Sequence, residues 1–409
     1  MQYILAYKEW GNLVSRYYGF PPFFRMKGYS MDTVRTVASR NFKGESTRRD
    51  FIAASTVAAA SAAAGLSSDS ASAQTKSARK LRIGAFCVGD GSFWTYSWGD
   101  LLTTTGKPFN TSTIGTGLLN MEVAYVWDLN PEAAEKFAAQ IGAKAVRRYD
   151  EMVGLVDGVA FGGFYEIPWQ YRLARPYIEA GIPTYLGRPF AYSLRDIDAI
   201  LDLAAKHNTP LMATDIYEHL YGVHTLKGKL KNVGKIESVS GTCLTNDYPM
   251  RFHTLYMAAK IFGFDIQKIS LVTDDPNNSK YCVVTLLFKG GGDQPPFPCS
   301  MSMSLTGDLY SFTVSGTTGI ETERLPQFPF RQDDLLVHHL PKLVDMQRTF
   351  EGKNYEPYDI IRKKTELFLT GFYSASEKGG APVDVGTVPV DWHARPVRPD
   401  WVNESVFKK

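Results

Sequence analysis

Between Lys80 and Thr214, short apolar runs alternate with amphipathic stretches, and this alternation is what most limits the folds open to the chain. Leu81 to Val88, Met121 to Trp127, Val156 to Phe161, Ile182 to Leu186 and Pro210 to Thr214 read as strands. Pro131 to Ile141, Trp169 to Ala180 and Ser193 to His207 carry the helical period. Proline opens the first of these helices, Gly181 stops the second and Ser193 caps the third. Strand and helix in turn predict a parallel, doubly wound Rossmann sheet over 80–214. After Thr214 the pattern changes. Ile236 to Leu244, Lys268 to Thr273, Tyr281 to Phe288, Pro298 to Leu305 and Phe312 to Ser315 are strand-like with short gaps. Such gaps suit antiparallel pairing, so 215–409 is expected to form an α/β domain on a large, open, mostly antiparallel sheet.

A doubly wound sheet binds nucleotides beyond the carboxyl ends of its strands. Glycines in the first turn admit the pyrophosphate, and the following helix N-terminus supplies positive dipole. Here that turn runs from Gly84 through Cys87, Gly89 and Gly91 to Ser92. Set against G-x-G-x-x-G, the three glycine positions hold Cys87, Gly89 and Ser92, so only the middle one is kept. Asp128 ends the second strand, where a carboxylate accepts ribose hydroxyls and repels a 2′-phosphate. That favours NAD over NADP. The spacing from turn to acid exceeds the roughly 20 residues usual there. Residues 93–118, with Trp94, Tyr96 and Trp98, read as an insertion.

Arg48-Arg49, followed by Phe51 and an alanine-rich run to Gly65, reads as a twin-arginine export signal. The run is interrupted by serines and is too short for the roughly 20 residues of a membrane span. Ala71-Ser72-Ala73 provides a small-residue cleavage site, predicting a mature start near Gln74 and a leader over 1–79. The destination would be the periplasm, reached by a chain already folded. Lys80 to Lys409 is long enough for two domains with real cores. The net charge of +3 lies partly in the leader, and no basic run interleaved with aromatics points to nucleic acid. The four cysteines show no zinc spacing, and the adjacent His338 and His339 would face different ways on a helix, so no metal site is assigned.

The order of elements has a familiar form. Val123 to Phe137, Tyr149-Asp-Glu-Met, Ala180 to Pro189, Asn232 to Ile236, His253 to Gly263 and Phe372 to Gly380 together resemble the Gfo/Idh/MocA (glucose-fructose oxidoreductase-like) family. The resemblance covers roughly 80–387. It implies an NAD-binding domain followed by a sheet domain that faces the nicotinamide and forms the oligomer interface. It further implies oxidation or reduction of sugars and related polyols, in a homodimer or homotetramer. The family's Glu-Lys-Pro signature corresponds to Gly187-Arg188-Pro189. A guanidinium keeps the lysine's charge and can hold a sugar oxygen, but it does not exchange protons in proteins. The family's Asp four residues before a His corresponds to Pro249, with Asp247 nearby, while His253 keeps the His position ten residues before Gly263. The residue three after the His, often Asp, is Tyr256.

Histidine suits the removal of a hydroxyl proton near neutral pH, so His253 is the expected base and Arg188 its companion. Gly84, Gly89, Gly91, Asp128, Tyr165, Glu166, Arg188 and Pro189 are the expected cofactor contacts. Tyr217, His219, His253 and Tyr256 are the expected substrate contacts. The expected activity is an NAD-dependent oxidoreductase acting on a small carbohydrate or polyol, with NAD held tightly. The alternatives are a redox-cycling enzyme of the same fold that cleaves glycosides, and a binding or accessory protein that has lost its chemistry.

Overall fold

The computed structural model describes residues 79–89, 92, 119–163, 165–243, 252–275, 281–303, 309–326, 332–353, 356–394 and 407. The leader with Arg48-Arg49 and its cleavage site, the 93–118 insertion, Gly91, Asp247 and Pro249 lie outside the described residues. Residues from Arg79 onward form one compact unit.

Its first sheet contains β1 (Leu81–Phe86), β2 (Met121–Trp127), β3 (Lys144–Ala145), β4 (Gly158–Phe161), β5 (Thr184–Tyr185) and β6 (Leu211–Met212). The spatial order is β3-β2-β1-β4-β5-β6, and every pair is parallel. The chain reverses its direction of travel across the sheet between β1 and β4, the switch point at which such folds open a crevice. Among the described residues, α1 (Pro131–Ile141) joins β2 to β3, α2 (Gln170–Glu179) joins β4 to β5 and α3 (Leu194–His207) joins β5 to β6. The start of α1 is set locally, by the Asn130 side chain accepting from the amide of Glu132 and by proline in the first turn. Gly142, at φ 75°, ends it. Ser193 caps α3 through the amide of Asp196. β1 and β4 are nearly continuous apolar runs because both of their faces are covered.

The second sheet contains β7 (Ile236–Cys243), β8 (Ile266–Thr273), β9 (Cys282–Phe288), β10 (Phe297–Met303), β11 (Leu309–Gly316), β12 (Gly319–Pro326) and β13 (Val383–Asp384). Its order is β12-β11-β7-β10-β9-β8-β13. All pairs are antiparallel except β7 with β10, which run parallel at the centre. The short gaps in sequence misjudge this one pair. β8 and β9 pair with each other and carry the chain back to β7 from the far side, so β10 meets it in the same direction. Alternation is clean: Phe312 and Val314 are fully buried, while Ser311 and Thr313 point the other way. On that other face, hydroxyls pair across strands as Thr242–Ser311, Thr285–Ser300 and Thr313–Thr322, each at 2.9–3.0 Å.

Four more helices follow among the described residues: α4 (Tyr221–Lys229), α5 (Phe252–Phe262), α6 (Gln332–Phe350) and α7 (Tyr358–Glu377). α7 packs against β8 of the second sheet and α3 of the first half. α6 packs against β5, β6 and the 3₁₀ turn Ile216–His219 that follows β6. These contacts bring residues far apart in sequence to the carboxyl ends of β5 and β6.

Candidate active site

Two constellations lie beyond the carboxyl ends of the first sheet. One is at β1 and β2. Cys87, the first residue past β1, adopts φ 56°, the left-handed conformation that glycine takes at little cost. The backbone shape of a glycine turn therefore survives without the glycine. Next to it, the Gly89 amide donates to Asp128 Oδ2 at 2.9 Å and to the Tyr165 hydroxyl at 3.0 Å. The Tyr165 hydroxyl itself donates to Asp128 Oδ2 at 2.8 Å, and the Asn130 amide donates to Oδ1 at 2.7 Å. Burial pushes the Asp128 carboxyl above its usual range, against these donors, which pull it down. A Cβ at position 89 would lie 2.9 Å from the Tyr165 oxygen. The space over Gly89 is thus filled by a hydroxyl of the chain itself, and Asp128 is already serving as a hydroxyl acceptor.

The other constellation joins β5, β6 and α5. Arg188, Asp215 and His253 are all fully buried. Arg188 Nε lies 3.2 Å from Asp215 Oδ1, and His253 Nδ1 forms a short hydrogen bond with Asp215 Oδ2. The Tyr217 ring lies 4.4 Å from that of His253, tilted by 49°. Burial alone would raise the Asp215 carboxyl. The partnership with His253, together with Arg188 and Lys342, outweighs it and holds the group down at about 2. His253 is held below the ordinary imidazole value by burial, with the charges of Arg188 and Lys342 adding and Asp215 opposing. The consistent state is an ionised Asp215 accepting Nδ1–H from a neutral imidazole. Its lone pair is then on Nε2, the arrangement of an oriented base.

Asp215 sits where it does because of its own turn. It caps the 3₁₀ segment through the Ile216 amide, while Glu218 Oε1 accepts from the Asp215 amide at 2.9 Å, completing a capping box. Glu218 Oε2 in turn meets Lys364 Nζ of α7 at 2.8 Å. Lys364 also donates to Glu356, in a short contact, and to the Ala213 carbonyl at 3.1 Å. Burial would lower the Lys364 ammonium, yet the two carboxylates raise it.

The remaining residues expected from sequence are placed as follows. Gly84 lies within β1, where a Cβ would lie 2.9 Å from Met152 Sδ, so the glycine there serves strand packing. Glu166 is fully buried, its carboxylate wedged where Cβ atoms at Gly163 and Gly187 would lie. His219 turns to Thr214 Oγ1 at 3.1 Å and lies 3.9 Å from Asp345. Tyr256 stacks on Phe190, with ring centroids 5.5 Å apart, and its hydroxyl donates to the Pro189 carbonyl at 3.4 Å. Tyr256 and Pro189 therefore meet each other and shape the turn that carries Arg188, whose peptide bond to Pro189 is cis. Sequence reading passed over Asp215, although Asp-x-x-Glu directly after a strand is a capping signature that could have found it. Nothing near Lys342 or Lys364 in the sequence marks either as buried.

Burial carries the Glu166 carboxyl up to about 8, the charge of Asp128 adding and backbone amides and Arg188 opposing. Its folded value lies above its unfolded one, so between about pH 4.5 and 8 the folded state binds the extra proton. Stability is therefore expected to fall as pH rises through that window. Urea midpoints of the wild type should decline across it, and those of Glu166→Gln should decline less. Equal slopes would show that Glu166 does not titrate in this way.

No family model matches the sequence, and no curated protein matches it. Solved structures do match in fold. A probable dehydrogenase from Thermotoga maritima superposes with TM-score 0.59 at 16% identity, over 75% of this chain and 99% of that one. A putative myo-inositol dehydrogenase from Sinorhizobium meliloti gives 0.58 at 15% identity, over 75% and 100%. The WlbA dehydrogenase from Chromobacterium violaceum, solved with NADH and UDP-GlcNAcA, gives 0.58 at 15% identity, over 77% and 98%. The chain therefore has the two-part fold of these dehydrogenases, a parallel Rossmann sheet followed by a mixed second sheet.

Proposed function

We propose that this chain is an NAD-dependent oxidoreductase of the Gfo/Idh/MocA family, acting on a CH–OH group of a sugar or sugar-like polyol. The observation that carries the reading is His253 held neutral and oriented by an ionised Asp215. NAD fits the first constellation on chemical grounds. Asp128 is already an acceptor for a hydroxyl, and Gly89 carries no side chain of its own, its amide now taken up by Asp128 and the Tyr165 hydroxyl. The Tyr165 hydroxyl stands in for one from the adenosine ribose, so binding requires Tyr165 to move aside. Gly89, Asp128 and the turn at Cys87 would hold the nucleotide.

When bound, NAD⁺ supplies the acceptor for the carbon's hydrogen and its two electrons. The chain's own residues handle the proton. His253 Nε2 takes it from the substrate hydroxyl, leaving a carbonyl and an imidazolium. Asp215, bonded to Nδ1–H, fixes the tautomer and stabilises the cation, and Arg188 adds to the pull of His253 that keeps Asp215 ionised. Tyr217, packed on the imidazole, limits how the substrate approaches it.

Export through the twin-arginine machinery to the periplasm belongs to the same proposal. A protein folded before export can carry tightly held NAD with it. We further propose a homodimer or homotetramer in which the hydroxyl-lined face of the second sheet is covered. A second reading, a binding protein without chemistry, is favoured by one observation: Tyr165 satisfies Asp128 internally.

Denaturing the protein purified from cytoplasm separates the two. The expected result is release of NAD close to one equivalent. In protein stripped of nucleotide, Tyr165→Phe should bind NAD about fivefold more tightly, because one competing hydrogen bond is gone. No released nucleotide, with no binding to either form on titration, would leave the second reading standing.

A further inference from the structure

Phe407, near the end of the sequence, is seated in an aromatic cage on the first half of the unit. Its ring lies 6.4 Å from Trp127, 6.2 Å from Tyr149 and 5.8 Å from Trp169, centroid to centroid. The Arg172 guanidinium covers the ring at 4.6 Å, and Arg172 Nη2 donates to the Phe407 carbonyl at 3.0 Å. Only 5% of Phe407 is exposed. Rings at the edge and a cation over the face are what hold a phenyl group. The walls of this cage lead directly to the nucleotide turn. Trp127 ends β2, and Asp128 is the next residue. Trp127 also meets Phe86, the last residue of β1, at 5.6 Å, and Cys87 follows that residue. Trp169 closes the 3₁₀ turn Ile167–Trp169, its amide donating to the Glu166 carbonyl at 2.8 Å, and Tyr165 comes just before that turn. Phe407 therefore bridges the two segments whose side chains, Asp128 and Tyr165, are hydrogen-bonded beside Gly89. A bridge between the segments favours the arrangement in which those side chains meet.

We propose that the Trp127–Tyr149–Trp169–Arg172 cage is a docking site for the Phe407 segment of this chain, and that its occupancy holds Tyr165 on Asp128 and so competes with a dinucleotide. The competition rests on the NAD reading above. A nucleotide that uses Asp128 must displace the Tyr165 hydroxyl from it. Its apparent affinity then falls with the fraction of molecules in which Tyr165 has let go, and a docked Phe407 keeps that fraction small. The coupling is reciprocal: a bound nucleotide loosens the docked segment by the same factor.

Two measurements on the full-length chain and its variants test this. The first needs no nucleotide: hydrogen exchange at the Gly89 amide, which donates to both Asp128 and Tyr165. Phe407→Ala should speed that exchange by about tenfold over the wild type, and Phe407→Leu, which keeps apolar bulk, should speed it less. In a chain ending at Asp400, a synthetic peptide of residues 401–409 should restore slow exchange. The same peptide carrying Phe407→Ala should not. The second measurement is titration of nucleotide-free protein with NAD. Phe407→Ala should bind it about three- to tenfold more tightly than the wild type. On a Tyr165→Phe background the same substitution should add little, because the hydrogen bond it releases is already gone. Gly89 exchange that is equal in the wild type and both Phe407 variants would overturn the proposal. So would an NAD affinity that Phe407→Ala leaves unchanged or weakens, where both forms bind. Fast Gly89 exchange reversed by the peptide, in a protein that binds no NAD in any form, would sink the NAD reading and leave the docking of Phe407 standing.

Discussion

His253→Ala is expected to lower kcat for polyol oxidation, followed at 340 nm, by about 10²- to 10⁴-fold, the range for loss of a positioned general base. Asp215→Asn should also be severely impaired. An amide in place of the carboxylate no longer fixes the Nδ1–H tautomer or stabilises the imidazolium, although the geometry around it is kept. His253 must be neutral to act, and its ordinary pKa is depressed by burial. Activity should therefore persist to lower pH than an exposed imidazole would allow, then fall as the ring is protonated. Because KM reports binding as well as chemistry, the decisive comparison is kcat at saturating substrate. An unchanged kcat in His253→Ala would remove His253 from the mechanism, however well it sits beside Asp215.

The largest effect on stability is expected at Lys364, which touches neither Asp215 nor His253. Replacing it with methionine leaves Glu218 and Glu356 buried without their shared cation. Breaking a buried pair from one side typically costs about 3–5 kcal/mol. The damage should spread, because Glu218 also accepts from the Asp215 amide and from Thr214. Urea unfolding of Lys364→Met should show a much lower midpoint with a similar slope. Combining it with Glu218→Gln and Glu356→Gln should recover much of the loss, since no carboxylate would then be stranded. A single-variant cost below about 1 kcal/mol would mean that the carboxylates find water or protons readily, and that the cluster is not a structural anchor.

Five of the six strands and the three helices of the first half were legible because each is signalled within its own few residues; β3, two residues long, was not. Proline at the start of α1, Ser193 before α3 and the apolar runs of β1 and β4 need no distant partner to be read. The second sheet was legible as strands but not as an arrangement. Which strands lie side by side depends on long-range closure, so the parallel pairing of β7 with β10 left no local mark. β12 was passed over as well. Its alternation of Ile320, Thr322 and Arg324 with glutamates and leucine is mostly polar and exposed, which hides an edge strand. At the site, His253 could be found from its spacing to Gly263. The acid that meets it could not. The family's spacing points just upstream of His253, to Pro249 with Asp247 nearby, whereas Asp215 meets the imidazole from the end of β6.

Local chemistry in the sequence determined the alternating pattern of the first half, the Asp128 that ends β2 and the histidine that opens α5. Tertiary structure alone decided which charges share a space. Asp215, Lys342 and Lys364 come from three elements spread over some 150 residues. Their proton affinities are set by burial and by one another, quantities that do not exist until the chain has folded. The same holds at the nucleotide turn. Sequence shows that two of its three glycines are missing; only the fold shows that Cys87 still takes the left-handed turn and that Tyr165 occupies the space beside Gly89.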